Sequence, residues 1–208
     1  EIYQRPPQHS AVKREVRIRN VYELDAMEEN DRLILLRILC QAGTYIRKII
    51  YDIGEVQGSG ATMAELRRTR VSNLNENNGM VKLHYLSDGY NVWKESGKED
   101  KLRGMVKPIE TSLQTIKAVI IRDTAVDALC HGARLAVPGV LKIPRDLKKS
   151  DFVGVYTLKG EVVGLAETAM SAQEITESEK GFAFNMKRII MKPNTYPKAW
   201  RAREIKTN

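Results

Sequence analysis

Residues 33–47 read LILLRILCQAGTYIR, and this stretch decides the first half of the fold. Every second residue from Ile34 to Cys40 is apolar, which predicts a strand buried at the centre of a sheet. Gly43 interrupts this pattern, and apolar residues then recur at helical spacing. The stretch therefore predicts a strand, a glycine turn and a helix that begins where the strand ends.

The predicted helix has one apolar face. Its buried stripe is expected to consist of Ile46, Ile49, Ile50, Ile53 and Val56. The glycines expected to end the helix in a loop are Gly54, Gly58 and Gly60. Asp52 has no evident local partner in the sequence, and a structural role is expected for it.

The start of this helix is the sharpest local candidate for a functional site. A helix N-terminus at the end of a central strand commonly binds anions, and Gly43 permits close approach of the backbone. Arg47 could pair with a carboxylate or a phosphate, and Tyr45 could stack on a base. From spacing alone, the alternative is that Tyr45 packs in the protein and Arg47 forms an ordinary ion pair.

Basic segments lie on both sides of this stretch. Residues 12–23 alternate between a basic and an apolar side, which predicts a strand, and a turn is expected at 29–31. Residues 63–74 carry three arginines and are predicted to end in a strand, while 83–93 and 100–106 are predicted to be helical. Two clusters of basic residues favour a phosphate backbone as ligand, although each cluster alone is also typical of a solvated surface.

From residue 116 onward the sequence predicts a small β-barrel. Four short strands are predicted, at 118–121, 152–158, 162–170 and 182–191. One helix is predicted at 124–131. The expected fold class is α+β, with a mixed, mostly antiparallel sheet and helices in residues 1–115 and the barrel in 116–193. A basic tail, packed on or near the barrel, is expected in 194–208.

The composition favours a polyanionic partner. The chain has 34 Lys and Arg residues against 26 Asp and Glu residues, a net charge of +8, and each phosphate that a cation neutralises releases condensed counterions. No apolar run approaches the ~18 residues of a membrane span. His9, His84 and His131 show no paired spacing, so neither a zinc site nor a Cys/His catalytic pair is predicted.

Short motifs along the chain resemble the signatures of one enzyme family. Those in the first half are QRPP at 4–7, SAVKR at 10–14, AGTYIR at 42–47, DIG at 52–54 and ELRRTR at 65–70. In this order and spacing they resemble the TruB-like pseudouridine synthases, in the dyskerin branch. The motifs AVDA, HGA, PG, KGE and YPKAW, between residues 125 and 200, resemble the PUA domain of that branch. The resemblance covers nearly the whole chain.

The resemblance implies a reaction and partners. Such enzymes isomerise uridine to pseudouridine in RNA after flipping the base out of its stack. An aspartate does the covalent or proton-transfer work, without a metal or an organic cofactor. A box H/ACA guide RNA selects the target uridine in rRNA during ribosome biogenesis, and small companion proteins complete the particle. The PUA domain binds the guide near its ACA end.

The resemblance also implies roles for residues of this chain. Arg47 would pair with the catalytic aspartate and keep it ionised, Tyr45 would contact the flipped base, and Leu66 would form an apolar wall of the pocket. The residues expected to contact RNA are Lys13, Arg14, Arg17, Arg67, Arg68, Arg70, Gly132, Ala133, Pro138 and Gly139.

One departure from the family concerns the catalytic aspartate, whose motif belongs upstream of QRPP and is absent from this sequence. The chain alone is therefore expected to be inactive, with the N-terminal half of the synthase as a further partner. Two alternatives stay open: a non-catalytic RNA-binding scaffold of an H/ACA or ribosome-assembly particle, and a guide-independent enzyme of the TruB type that modifies the T-loop of tRNA. Residues 75–81 favour a eukaryotic source and hence the nucleolus, whereas an archaeal source would place the protein in the cytoplasm.

Overall fold

The computed structural model describes residues 1–6 and 13–198, which form two compact units divided between Arg68 and Thr69. The SAVKR motif up to Val12, and the tail from residue 199 with Trp200, lie outside the described residues. Within the described ranges, no helix combines the length and apolarity needed to cross a membrane.

The first unit is built from short antiparallel strand pairs and one long helix. Its described elements are β1 (Ile2–Gln4), β2 (Arg17–Arg19), β3 (Val21–Asn30), β4 (Leu33–Cys40) and α1 (Ile46–Gln57). β1 pairs with β2, and β3 pairs with β4. The strand predicted over 12–23 is therefore divided at Asn20, and residues 13–16 lie outside it. The turn predicted at 29–31 lies at Asp31 and Arg32, because β3 continues to Asn30, and Asp31 has a φ of 53°.

β4 has the predicted bounds, but its predicted burial at the centre of a sheet is wrong. Among the described residues it pairs with β3 alone, and Leu33, Ile34 and Leu35 are 67%, 52% and 60% exposed. The alternation of a strand indicates which of its faces is apolar. Burial, however, requires neighbouring strands and a layer packed against that face.

α1 follows the predicted helix, with one error in its apolar stripe. Ile49 is buried, and the other three isoleucines of the stripe are half-buried. Val56 is 89% exposed, contrary to the prediction. The last turn of α1 therefore lies beyond the surface against which the helix packs.

Gly54 lies inside α1 and does not end it. A Cβ atom at this position would stand 2.0 Å from the backbone nitrogen of Ala61, so glycine lets the following loop pack directly on the helix. Gly58 ends the helix as predicted, in the left-handed conformation typical of a C-terminal cap.

The second unit begins with a small hairpin and two packed helices. These elements are β5 (Arg70–Val71), β6 (Leu74–Asn75), α2 (Leu83–Ser96) and α3 (Asp100–Met105). Both helices were predicted and are confirmed. Gly89 brings them together, since a Cβ atom there would lie 2.4 Å from the Cε of Met105.

The rest of the second unit is a nearly closed sheet, which confirms the predicted barrel. Its elements are β7 (Lys117–Ile121), α4 (Asp123–Cys130), β8 (Leu135–Ala136), β9 (Val140–Lys142), β10 (Phe152–Tyr156), β11 (Val162–Thr168), α5 (Ala172–Glu177) and β12 (Phe182–Ile189). The six strands are ordered β8-β12-β11-β10-β7-β9, with β7 and β10 parallel. Fully buried aliphatic and aromatic side chains fill its interior, among them Val119, Ile121, Val126, Val163 and Phe184. The short strands β8 and β9 and helix α5 were not predicted.

A charged capping box starts α5. The hydroxyl of Ser171 accepts a hydrogen bond from the Glu174 amide at 3.3 Å, and the Ser171 amide donates to Glu174 Oε2 at 2.8 Å. The ammonium of Lys149 lies 2.6 Å from Glu174 Oε1. The hydrogen bond from Lys149, helped by the Ser171 amide, lowers the pKa of Glu174 to about 2.

This lowered pKa predicts a pH-dependent stability. A carboxyl group whose folded pKa lies below its unfolded value of 4.5 stabilises the fold above that pH, and the stabilisation is lost as the pH falls towards about 2. Glu174→Gln keeps an acceptor for Ser171 but loses the charge. We therefore expect a Tm a few degrees below wild type at neutral pH, and a difference that disappears in acid. Thermal unfolding followed by circular dichroism at several pH values measures this.

The matched control is Glu179→Gln, at an exposed carboxylate just after α5. Its Tm is expected to follow wild type at every pH. A Tm difference for Glu174→Gln that is constant from neutral to acidic pH would contradict the assigned role of the charge.

Candidate nucleic-acid interface

A buried glutamine joins β1 to the start of α1. Gln4 is 3% exposed. Its Oε1 accepts a hydrogen bond from the Tyr45 amide at 2.9 Å, and its Nε2 donates to the Tyr45 carbonyl at 3.0 Å. Tyr45 is the N-terminal capping residue of α1, and no side-chain capping bond forms there. Gln4 therefore pairs with the backbone at this helix end and places its neighbour Arg5 beside the first turn.

The turn before α1 depends on a glycine. Gly43 has a φ of 80°, a conformation that residues with a Cβ atom adopt rarely. The Thr44 hydroxyl donates to the Gln41 carbonyl at 2.6 Å and closes the turn. The guanidinium of Arg19, from β2, lies 3.5 Å from where a Cβ of Gly43 would stand. The turn thus aims the start of α1 and packs directly against a basic side chain.

A pocket of about 270 Å³ lies at the start of α1, lined by Arg5, Tyr45, Arg47, Lys48 and Tyr51. The structure therefore brings together two of the three predicted catalytic residues, Tyr45 and Arg47. Three cations and two aromatic rings around one cavity suit a nucleotide, since guanidinium and ammonium groups bind phosphates and aromatic rings stack on unpaired bases.

Lys48 is held by two contacts along α1. Its ammonium forms an ion pair with Asp52 and lies 5.1 Å from the centroid of the Tyr51 ring. Asp52 therefore does have a local partner, contrary to expectation, because residues four apart on a helix face each other. Arg5 and Arg47 are exposed, and neither forms an ion pair with a described residue. Arg5, Lys48 and Tyr51 were not predicted as pocket residues.

Leu66, the third predicted catalytic residue, does not line this pocket. Leu66 is 55% exposed and lies in an irregular segment. Lys13 forms an ion pair with Glu15, and Arg17 donates to the Lys13 carbonyl at 3.4 Å. The remaining predicted basic residues are exposed: Arg14, Arg67, Arg68 and Arg70. Their contacts with RNA, and the role of Leu66, stay predictions.

A second pocket, of about 200 Å³, lies on the barrel between α4 and the segment around β8. Its lining residues are Ala125, Ala128, Leu129, Arg134, Leu135, Ala136 and Gly139. Gly139 lies so close to Leu135 and Ala125 that a Cβ atom would meet them at 3.1 and 3.2 Å. The lining of this pocket is therefore mostly apolar, and its backbone is closely packed. Arg134 is the charged residue of the lining.

Residues of the HGA and PG motifs lie in or directly next to the lining of this second pocket. Gly132, with a φ of 92°, and Ala133 are exposed and directly precede Arg134. Pro138 precedes Gly139, and its carbonyl accepts a hydrogen bond from Arg122 Nε at 3.1 Å. The predicted residues of the two motifs therefore lie in or next to the lining of one cavity.

Arg134, the cation in the lining of this pocket, was not predicted from the sequence. The guanidinium carbon of Arg134 lies 4.1 Å from the centroid of the Phe182 ring, a cation–π contact between residues far apart in the chain. Arg122 does not line the pocket, but its Nε donates to the Pro138 carbonyl and its amide donates to the Gly139 carbonyl at 2.9 Å. No local pattern reports the contact between Arg134 and Phe182, because β12 must first pair with β8.

The described start of the tail packs on the barrel. Asp127 is 1% exposed and accepts a hydrogen bond from the Asn194 amide at 3.1 Å. The Tyr196 hydroxyl donates to Glu161 Oε2 at 2.5 Å, and this bond raises the pKa of Tyr196. In residues 1–6 and 13–198, no cluster of His, Cys, Asp and Glu side chains has an arrangement that could hold a metal ion.

Comparison with known proteins identifies the family. The tRNA pseudouridylate synthase B C-terminal domain matches residues 47–114, and the PUA domain matches 117–190. The probable tRNA pseudouridine synthase B of Methanopyrus kandleri is 49% identical over 199 residues, covering 96% of this chain and 59% of that protein. The protein of the same name from Saccharolobus solfataricus is 44% identical over 204 residues, covering 98% of this chain and 81% of that protein. The chain spans about 60% of the length of most of these archaeal relatives.

Solved structures agree with the sequence comparison. A chain of a Cbf5-Nop10-Gar1 complex is 44% identical with a TM-score of 0.82, covering 95% of this chain and 60% of that one. A chain of an H/ACA ribonucleoprotein bound to a substrate RNA containing 2′-deoxyuridine is 40% identical with a TM-score of 0.80, covering 90% of this chain and 59% of that one. This chain therefore belongs to the tRNA pseudouridine synthase B family, and within it resembles the synthase subunit of box H/ACA particles.

Proposed function

We propose that this chain works within an RNA pseudouridine synthase of a box H/ACA ribonucleoprotein, which isomerises guide-selected uridines in rRNA. The observation that carries the proposal is the pocket at the start of α1, where Tyr45 and Arg47 lie together. The family resemblance gives these two residues the roles of contacting the flipped base and holding the catalytic aspartate. With rRNA as its target, such a synthase would act in ribosome biogenesis.

Arg47 would orient the carboxylate of the catalytic aspartate. Its guanidinium offers two parallel N–H donors that aim the carboxylate of an aspartate and favour its ionised form. That aspartate comes from a segment outside this sequence. Tyr45 stacks on the extruded uracil, while Leu66 adds an apolar wall once RNA is bound. The chemistry uses no metal and no organic cofactor.

The proposal divides the chain into a synthase part, 1–115, a PUA part, 116–193, and a basic tail, 194–208. The PUA part binds the guide RNA through the surface of the second pocket, which includes Gly139. Small companion proteins complete the particle, as Nop10 and Gar1 do in the similar complex. The relatives named above are archaeal, which favours the cytoplasm over the nucleolus as the site of action.

The test is isomerisation that depends on a guide. A synthase assembled from this chain and a polypeptide carrying the aspartate motif is given RNA with tritium at C5 of the target uridine, and tritium release is measured. Release is expected with the matching guide RNA and is expected to fall to background without it. A guide with a mismatched target-pairing segment serves as the control.

A second candidate function is guide-independent modification of tRNA. It is favoured by the shared name of the curated relatives, probable tRNA pseudouridine synthase B. Tritium release from tRNA in the absence of any guide would support it against the first candidate. Intact RNA binding without release from either substrate would instead favour the scaffold.

A further inference from the structure

The pocket at the start of α1 holds more positive charge than one carboxylate can neutralise. Its cations are Arg5, Arg47 and Lys48, and no acidic side chain from residues 1–6 or 13–198 lines it. Asp52, which pairs with Lys48, stands outside the lining. Three cations against this one carboxylate leave two positive charges, and the aspartate proposed for Arg47 would neutralise one of them. One cation therefore remains for a further anion.

Lys48 is oriented but not neutralised by its neighbours. Its side chain is 43% exposed and that of Asp52 is 46% exposed, so water screens their ion pair and the pair is weak. The same ammonium lies 5.1 Å from the centroid of the Tyr51 ring, which gives it a cation–π contact. Lys48 lines the pocket, and its ammonium can exchange Asp52 for a stronger anionic partner.

Arg5 approaches the same cavity from a different segment. Its position follows from Gln4, whose two hydrogen bonds to the Tyr45 backbone hold β1 against the start of α1. Arg5 forms no ion pair with a described residue, and its side chain is exposed. Arg5, which follows β1, and Lys48, in α1, can therefore bind one anion together. The rings of Tyr45 and Tyr51 line the same pocket.

We infer that Arg5 and Lys48 bind a backbone phosphate of the target RNA strand next to the uridine that enters the pocket. The inference rests on the proposed function and extends it from the base to the backbone. A phosphodiester fits because it carries a single negative charge and lies within one nucleotide of a base that stacks on Tyr45. Lys48 and Arg5 are binding residues in this assignment, whereas Arg47 serves the aspartate.

The first experiment uses this chain alone and requires no activity. Its affinity for a short single-stranded oligouridine RNA is measured by fluorescence anisotropy over a range of salt concentrations, for wild type, Arg5→Met and Lys48→Met. Each variant is expected to lower the slope of log affinity against log salt by up to about 0.7, the value for the complete loss of one phosphate contact on a single strand. The control is Arg32→Met, an exposed arginine in the β3–β4 turn, whose slope is expected to equal that of wild type.

The second experiment fixes the position of the phosphate. In the assembled synthase, guide and target RNA, each phosphodiester flanking the target uridine is replaced in turn by a neutral methylphosphonate. At one of the two positions, the replacement is expected to raise the KM of the wild-type enzyme by the same factor as the Lys48→Met substitution. In the Lys48→Met variant, the same replacement is expected to cause no further rise in KM. Additive effects at both positions would overturn the assignment of Lys48 to a flanking phosphate.

The outcomes separate this inference from the proposed function. Lower salt slopes for both variants, without tritium release by any assembly, would support the phosphate site and reject the synthase. Tritium release with unchanged slopes would overturn the phosphate site alone. Binding of a polyglutamate peptide with the same dependence on Arg5 and Lys48 would overturn it in favour of an acidic peptide.

Discussion

Replacing Arg47 by alanine is expected to slow uridine isomerisation by the assembled synthase by about 10²–10³-fold. Arg47 lines the pocket with Tyr45 and has no ion-pair partner among the described residues, so its guanidinium is available for the catalytic aspartate. Without the arginine the carboxylate loses its bidentate orientation, and a displacement of about 1 Å can cost about 10²-fold in rate. Tritium release under single-turnover conditions at saturating RNA measures the chemical step.

The pH dependence of the isomerisation rate distinguishes two effects of Arg47, its orientation of the aspartate and its effect on the charge of the aspartate. An arginine beside a carboxylate lowers the carboxylate's pKa, so removing Arg47 raises the pKa of the aspartate. Because the proposed role of Arg47 requires the ionised aspartate, the rate of Arg47→Ala should begin to fall at a higher pH than that of wild type as the solution is acidified. Arg47→Lys keeps the charge but loses the planar pair of donors. It is therefore expected to restore the pH profile and only part of the rate.

Arg32→Ala is the matched control, since this arginine belongs to the same unit and lies in the β3–β4 turn, away from the pocket lining. Its rate is expected to equal that of wild type. Equal rates for Arg47→Ala and wild type would show that the aspartate is oriented by another group, and the proposed role of Arg47 would be wrong.

Replacing Phe184 by alanine is expected to lower the free energy of unfolding of the second unit by about 3–5 kcal/mol. Phe184 is 0% exposed, and β12 places it between Thr168 of β11 and Leu135 of β8. Loss of the ring removes buried apolar surface and leaves a cavity that close-packed neighbours fill only in part. Because domains are stable by only about 5–15 kcal/mol, this change removes a large share of the total. Urea denaturation followed by circular dichroism measures it.

Phe182 provides a control in the same strand. It is 50% exposed, and its ring lies against the Arg134 guanidinium. Phe182→Ala is expected to cost less than about 1 kcal/mol, the value of an exposed cation–π contact. Similar losses of stability for the two phenylalanine variants would mean that the interior of the barrel is not organised around Phe184.

The helices and the longer strands could be predicted because their signals are local. In α1, isoleucines at helical spacing and the capping Gly58 mark the element without any distant contact. The strands of the barrel follow in the same way from short apolar runs between turns. Short elements such as β8 and β9 carry two and three residues, too few for a pattern. They exist because a neighbouring strand supplies their hydrogen bonds.

By itself the sequence determined the order of the elements, the family motifs and two of the residues that line the α1 pocket, Tyr45 and Arg47. These depend on neighbours in the chain, where spacing and residue type carry the information. Only the tertiary structure decided that Arg5 joins them, because the hydrogen bonds from Gln4 to the Tyr45 backbone span 41 positions. It also decided that β4 is exposed rather than central, since the burial of a strand depends on what packs against it. A pocket and a core are both made by groups that are distant in sequence, and no local pattern reports which distant groups will meet.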